Sequence, residues 1–173
     1  GLPKSGKSTL CAMIANYLTQ FGKVLYVAAE ERGSTYALPV EKTIRDRFKR
    51  LGIDSELITI VGEVEMKQIE KAIQNYPCQF VIIDSAHTAH VSPKRIQRWR
   101  KKYPKKSFTC VLHMNRTGTI KGDTDWEHDP QIIVNCIDGL ATQEGRFNEG
   151  GFMRIFEKKK PTEFSEPQTL FIK

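Results

Sequence analysis

The sequence has no long apolar run. Its longest uninterrupted hydrophobic stretches are four to six residues, far short of the ~20 that a membrane-spanning helix needs. No membrane partner is expected. No signal peptide is visible and the first residue is not Met. The chain begins inside a motif, so it is expected to be a piece of a longer polypeptide. Cysteine is sparse and poorly spaced for metal chemistry. Cys11, Cys78, Cys110 and Cys136 form no CxxC pair, which argues against a zinc site or a disulfide framework and for buried thiols in a reducing cytoplasm. No internal repeat and no low-complexity segment occurs. Acid is also in deficit: 20 acidic residues stand against 27 basic, for a net charge of +7. Such an excess is either a solvated surface rich in lysine or the mark of a polyanionic partner, most simply nucleic acid. The basic residues concentrate between Lys94-Arg95 and Lys106, and again at Lys158-Lys159-Lys160.

What is present fits one soluble domain of 173 residues, 39% hydrophobic and 27% charged. Leu10, Met13, Ile14, Tyr17, Leu18 and Phe21 recur at helical spacing, and Gly22 is placed to stop that helix. Val24–Ala29 is continuously apolar, as a strand buried on both faces would be. Alternation then continues. A helix is predicted over 40–51, a strand over Leu57–Val61, and a helix on Met66, Ile69, Ile73 and Tyr76. A strand over Phe80–Ile83 ends in Asp84. A short basic helix over Pro93–Tyr103 and a strand over Phe108–His113 follow. Asn115–Asp129 has no periodicity. Beyond it, Ile132–Leu140, Phe152–Glu157 and Gln168–Ile172 read as strands joined by glycine- and asparagine-rich turns. The expectation is an α/β fold, a mostly parallel doubly wound sheet of P-loop type with a β-hairpin-rich C-terminal part.

The first eight residues, Gly1-Leu2-Pro3-Lys4-Ser5-Gly6-Lys7-Ser8, match GxxxxGK[ST]. Glycines let the backbone wrap a phosphate with its N–H groups inward. Lys7 then reaches the terminal phosphates and the Ser8 hydroxyl ligates Mg²⁺. The pattern opens an amphipathic helix, which is the context this mechanism requires. It predicts ATP and Mg²⁺ as ligands, with Gly1, Pro3, Lys4, Ser5, Gly6, Lys7, Ser8 and Thr9 around the phosphates. The strand that should feed the loop is expected to lie before Gly1. Asp84, at the end of an apolar strand, has the form of a Walker B acid, placed to approach Mg²⁺ through water.

Val24-Leu25-Tyr26-Val27-Ala28-Ala29-Glu30-Glu31 is a second strand ending in two carboxylates. With the phosphate loop it resembles the RecA-like ATPases, and most nearly their bacterial RadA (Sms) branch. Arg50-Leu51-Gly52-Ile53, Phe80–Ser85, and Val111–Gly122 followed by Glu127-His128 are similar to further stretches of that branch. The resemblance runs from residue 1 to about residue 160. It implies that Glu30 polarises the attacking water and that Glu31 is its neighbour. It implies that His113 senses the γ-phosphate, although a strand-end histidine is also a common structural residue. The branch's zinc element and Lon-like domain do not occur in this stretch. Its KNRFG segment is replaced by Glu157-Lys158-Lys159-Lys160-Pro161-Thr162.

The resemblance further implies single-stranded DNA as a partner, through loops after the Walker B strand and after the sensor strand. These are roughly Ser85–Lys94, with His87 and His90, and Asn115–Asp125, with Arg116 and Lys121. The basic helix carrying Lys94 and Arg95 is a second candidate surface, in which Trp99 is expected to pack on the sheet rather than stack on a base. Assembly into a ring or filament is implied as well, with Lys158 and Lys160 completing a neighbour's site. A solvated turn is the plainer reading of that lysine run. A small-molecule kinase and a slowly hydrolysing regulatory module remain alternative functions. No arginine-rich lid of the kinase kind is visible.

Overall fold

The computed structural model describes residues 3–29, 40–62, 65–115, 119–120, 125–146 and 149–157. Helix α1 spans Lys7–Leu18, followed by β1 at Val24–Ala28, α2 at Val40–Arg50 and β2 at Ile58–Val61. Then come α3 at Met66–Asn75, β3 at Phe80–Asp84, α4 at Pro93–Lys102, β4 at Ser107–Cys110 and the single turn α5 at Asp125–His128. The last elements are β5 at Ile132–Ile137, β6 at Leu140–Gly145 and β7 at Gly151–Arg154.

β1 to β4 form one parallel sheet in the order β2-β1-β3-β4. Every residue of β1 is buried, as its unbroken apolar run foretells for a strand covered on both faces. Alternate side chains go to opposite layers. Leu25, Val27, Val81 and Ile83 meet Ile69 and Ile73 of α3 and Trp99 of α4. Val24, Tyr26, Ala28 and Ile82 meet Cys11, Ala12 and Ala15 of α1 and Ile44 and Phe48 of α2. Trp99 stacks on Phe108 at 6.0 Å between ring centroids and is 1% exposed. It is a core residue, as its helical position suggested.

β5, β6 and β7 form a separate antiparallel sheet. It docks on α1 through Cys136, Ala141 and Ile155 against Leu10 and Ile14. The parallel α/β sheet with a β-rich end is therefore the architecture found.

Two local expectations are corrected. The stretch Ile132–Leu140 is not one strand. It turns at Asp138 (φ 48°) and Gly139 (φ 79°) and returns as β6. Two consecutive left-handed residues are what a tight hairpin requires, and Asp-Gly is a sequence that supplies them. The apolar stripe of α1 is buried only in part, through Leu10, Ile14 and Leu18. The helix buries Leu10, Cys11, Ala12 and Ala15, while Tyr17 and Phe21 remain 59% and 62% exposed and pack on each other edge to face. Small side chains let α1 lie close on the sheet, so fit at the contact outweighs hydrophobicity counted residue by residue. The expected strand at Gln168–Ile172 lies outside the described residues.

Candidate nucleotide site

The phosphate loop is built by backbone conformation. Lys4 (φ 61°) and Gly6 (φ 102°) both take left-handed conformations and bracket Ser5. Turns of this kind direct successive amides into a concavity suited to an anion. Gly6 is the N-cap of α1, no side chain caps the helix, and its first turn holds no acid. The positive end of the helix dipole is thus offset by neither a side-chain cap nor a first-turn acid, the setting in which a helix N-terminus receives an anion. The Ser5 side chain is buried at 4% exposure, and its Oγ has no hydrogen-bond partner. An orphaned buried hydroxyl inside the loop fits a phosphate oxygen as the group that satisfies it.

Beside the loop stands Asp84, the last residue of β3 and 3% exposed. The hydroxyl of Tyr26 donates a 2.8 Å hydrogen bond to its Oδ2. Burial, and then the Asp84 carboxylate, push the Tyr26 phenol well above its usual pKa. Cys11, one turn into α1, is likewise raised by burial and next by Asp84, and is lowered by Lys7. The Cys11 thiol therefore lies within electrostatic reach of both Lys7 and Asp84. Among the described residues, Ser8 and Asp84 are the two candidates for holding Mg²⁺. Such a count suits an ion that keeps several waters and takes its other ligands from substrate phosphates. Among the described residues no cluster of three or more His, Cys, Asp or Glu could hold a metal by itself.

The remaining candidates divide into those described and those not. Ala28 is the register partner of Asp84, so β1 ends at the sheet edge that carries the acid. Glu30 and Glu31, which follow, lie outside the described residues. So do Gly1, Arg116, Lys121, Lys158 and Lys160. His113 is half-buried beyond β4. Its ring centroid is 6.2 Å from that of His87, which is exposed in the loop after β3. Hydrogen bonds from the Val111 amide to the Ile83 carbonyl and from the Ala86 amide to the Val111 carbonyl fasten these two loops together. Past His113 the chain folds back on itself. Met114 bridges Ile120, and the Asn115 amide donates to the Thr119 carbonyl at 2.8 Å. The loop expected to carry Arg116 thus has a hairpin base. Lys94 is exposed, and Arg95 lies 3.8 Å from Glu70.

Three participants were not found from sequence. Tyr26 is one, although a tyrosine inside a fully apolar strand signals that its hydroxyl needs a partner. The others are Gly139 and Phe156. The Gly139 amide donates to the Ser5 carbonyl at 3.2 Å, and its own carbonyl accepts from the Ile155 amide at 2.7 Å. The Phe156 ring lies directly against Gly6, where a Cβ would come within 2.8 Å of it. The antiparallel sheet is therefore hydrogen-bonded to the phosphate loop.

No protein-family model matches the chain. Among curated proteins it is 35% identical over 175 residues to DNA repair protein RadA of Aquifex aeolicus, covering 92% of this chain and 36% of that protein. The match to RadA of Bacillus subtilis is 27% identical and covers 99% and 41% respectively. That to RadA of Streptococcus pyogenes serotype M6 is 38% identical and covers 84% and 32%. The chain thus spans well under half the length of these relatives. Among solved structures, flagellar accessory protein FlaH from Methanocaldococcus jannaschii superposes with a TM-score of 0.56. That superposition covers 89% of this chain and 82% of FlaH, at 15% identity, and shows the fold. A phosphate loop on α1, an acid at the end of β3 and this sheet order define a RecA-like ATPase core. Within that class the chain stands close to RadA.

Proposed function

We propose that the chain binds ATP·Mg²⁺ and hydrolyses ATP as the motor core of an oligomeric protein acting on single-stranded DNA. One observation carries this: an uncapped helix N-terminus with an unpartnered buried serine hydroxyl, set beside a buried strand-end carboxylate. That is an anion site next to a cation site, the combination a metal-bound nucleoside triphosphate needs.

The residue roles are these. The amides of Gly6, Lys7 and Ser8 hold the β- and γ-phosphates, and the Lys7 ammonium offsets their charge. Ser8 and Asp84, the latter oriented by Tyr26, would hold Mg²⁺, which when bound would offset charge on the transferring phosphoryl oxygens. Glu30 accepts the proton of the attacking water. His113 reads the γ-phosphate, and its contact with His87 links that reading to the loop after β3 and to the loop bearing Arg116 and Lys121, which takes the DNA backbone. Lys158 and Lys160 place positive charge in an adjacent subunit's site. The names of the RadA relatives, which are DNA repair proteins, support the DNA part of this reading, and so does the +7 net charge.

Steady-state phosphate release, measured with and without single-stranded DNA, tests it. DNA should raise the turnover of the full-length protein. Turnover that ignores DNA removes the DNA-motor reading. Transfer of the phosphoryl group to a metabolite would make the protein a kinase.

A further inference from the structure

We propose that the outward face of α4 is a binding tract for the backbone of single-stranded DNA, and that it works whether or not nucleotide is bound. The proposal rests on the reading that the protein acts on such DNA, and adds a surface separate from the two loops.

α4 contains six basic residues in ten and no acid. Its hydrogen-bonded start is fixed by Ser92, whose Oγ accepts from the Arg95 amide, and by Pro93 in the first turn. At 3.6 residues per turn, Lys94, Arg98 and Lys101 fall within one arc of roughly 60°. That arc lies opposite the side that buries Pro93 and Trp99. All three side chains are exposed. Of the helix's other three cations, Arg100 is exposed on the side of Pro93 and Trp99, and two are partly committed. Arg95 lies 3.8 Å and Lys102 3.5 Å from the same carboxylate, Glu70 of α3. No ion pair to Lys94, Arg98 or Lys101 occurs among the described residues. The row is therefore a line of three cations without an ion pair, about 10 Å long at 1.5 Å rise per residue, with the Asp129 carboxylate held beside it by Gln97 at 2.8 Å. Nothing in it presents an apolar contact or a carboxylate acceptor. Such a surface suits a polyanion whose charges repeat along a line.

Rigidity separates this tract from the loops. Trp99 is 1% exposed and stacked on Phe108 of β4, and Ile96 and Tyr103 pack in the same cluster. The Tyr103 amide closes the helix on the Trp99 carbonyl at 2.7 Å. A helix anchored this way presents its charges in one arrangement irrespective of what occupies the phosphate loop. The loops after β3 and β4 adjoin His87 and His113 and are the parts placed to respond to nucleotide.

The test is fluorescence anisotropy of a labelled oligothymidylate titrated with full-length protein across a salt series, with and without a non-hydrolysable ATP analogue. The parent should bind in both conditions. Lys94→Gln/Arg98→Gln/Lys101→Gln should weaken nucleotide-free binding and flatten the plot of log K against log salt by up to about 2 units, as expected for three lost phosphate contacts on a single strand. Arg95→Gln/Lys102→Gln, a control with cations already paired to Glu70, should change the slope less. Arg116→Gln/Lys121→Gln should lose mainly the increment that the analogue adds. A triple variant with the parent's nucleotide-free affinity and slope would overturn the tract while leaving the functional reading intact. A parent that binds no DNA in either condition would overturn both. Binding of the parent to anionic phosphatidylserine vesicles but not to DNA would replace the partner and overturn the proposal.

Discussion

At the scale of single residues, the geometry turns on Asp84. A carboxylate that is 3% exposed needs donors, and Tyr26 supplies one from the neighbouring strand at 2.8 Å. Tyr26→Phe removes that donor while keeping the ring that packs edge to face on Phe48. The loss should cost about 1.5–3 kcal/mol, the range for a hydrogen bond to a charged group. Thermal unfolding measures it, and an unchanged midpoint would mean that the bond contributes nothing to stability. The acid itself was legible, because four apolar residues ending in aspartate mark a strand that delivers a carboxylate to an edge. Its partner was not. Which side chain faces Asp84 depends on the pairing of Ala28 with Asp84, a register that neither strand encodes alone. Ser5 was legible as part of a phosphate-binding pattern, but its burial without a partner is visible only once the loop is folded.

At the scale of elements, the hairpin of β5 and β6 matters because its turn touches the phosphate loop. Gly139 has φ 79°, and a Cβ there would stand 2.5 Å from the Phe156 carbonyl oxygen. Gly139→Ala should therefore cost at least about 1–2 kcal/mol, the penalty of an L side chain in the left-handed region. The melting midpoint should fall by roughly 2–8 °C for a domain of this size. The Gly139 amide also holds the Ser5 carbonyl, so affinity for ATP should fall in the same variant. A destabilised protein with unchanged affinity would separate the turn from the phosphate loop. The turn had a sequence signal in Asp138-Gly139, overridden by the apolar character of the residues on either side of it. α1 shows the converse. Its helical period was readable, yet its buried face only in part, because Ala12 and Ala15 are chosen by the closeness of the sheet and not by their own hydrophobicity. α4 was read correctly as a basic helix with a buried tryptophan. Which of its cations are shared with Glu70 required the placement of α3.

At the scale of the whole molecule, the alternation of strands and helices followed by hairpins was legible from periodicity alone. How the antiparallel sheet docks was not, since it depends on contacts between residues more than a hundred positions apart, such as Leu10 with Cys136. Burial raises Cys11 and Cys136, and desolvation pushes Cys110 up to about 12 from an ordinary 9.0. The folded chain thus holds these thiols protonated where the unfolded chain would release the protons. For Cys110 that contribution to stability is complete below about pH 9 and is lost as pH rises toward 12. Melting midpoints should fall across that interval, and the fall should be shallower in Cys110→Ala. Parallel curves for parent and variant would assign the alkaline loss to other groups. The central claim, that residues 3–9 with Asp84 form an ATP·Mg²⁺ site, is tested most directly by equilibrium binding of a fluorescent ATP analogue in the presence of Mg²⁺. The parent should bind tightly and only with Mg²⁺, Glu30→Gln should bind near-normally, and a folded Lys7→Ala should bind far more weakly or not at all. Equal affinity of Lys7→Ala and parent would contradict it.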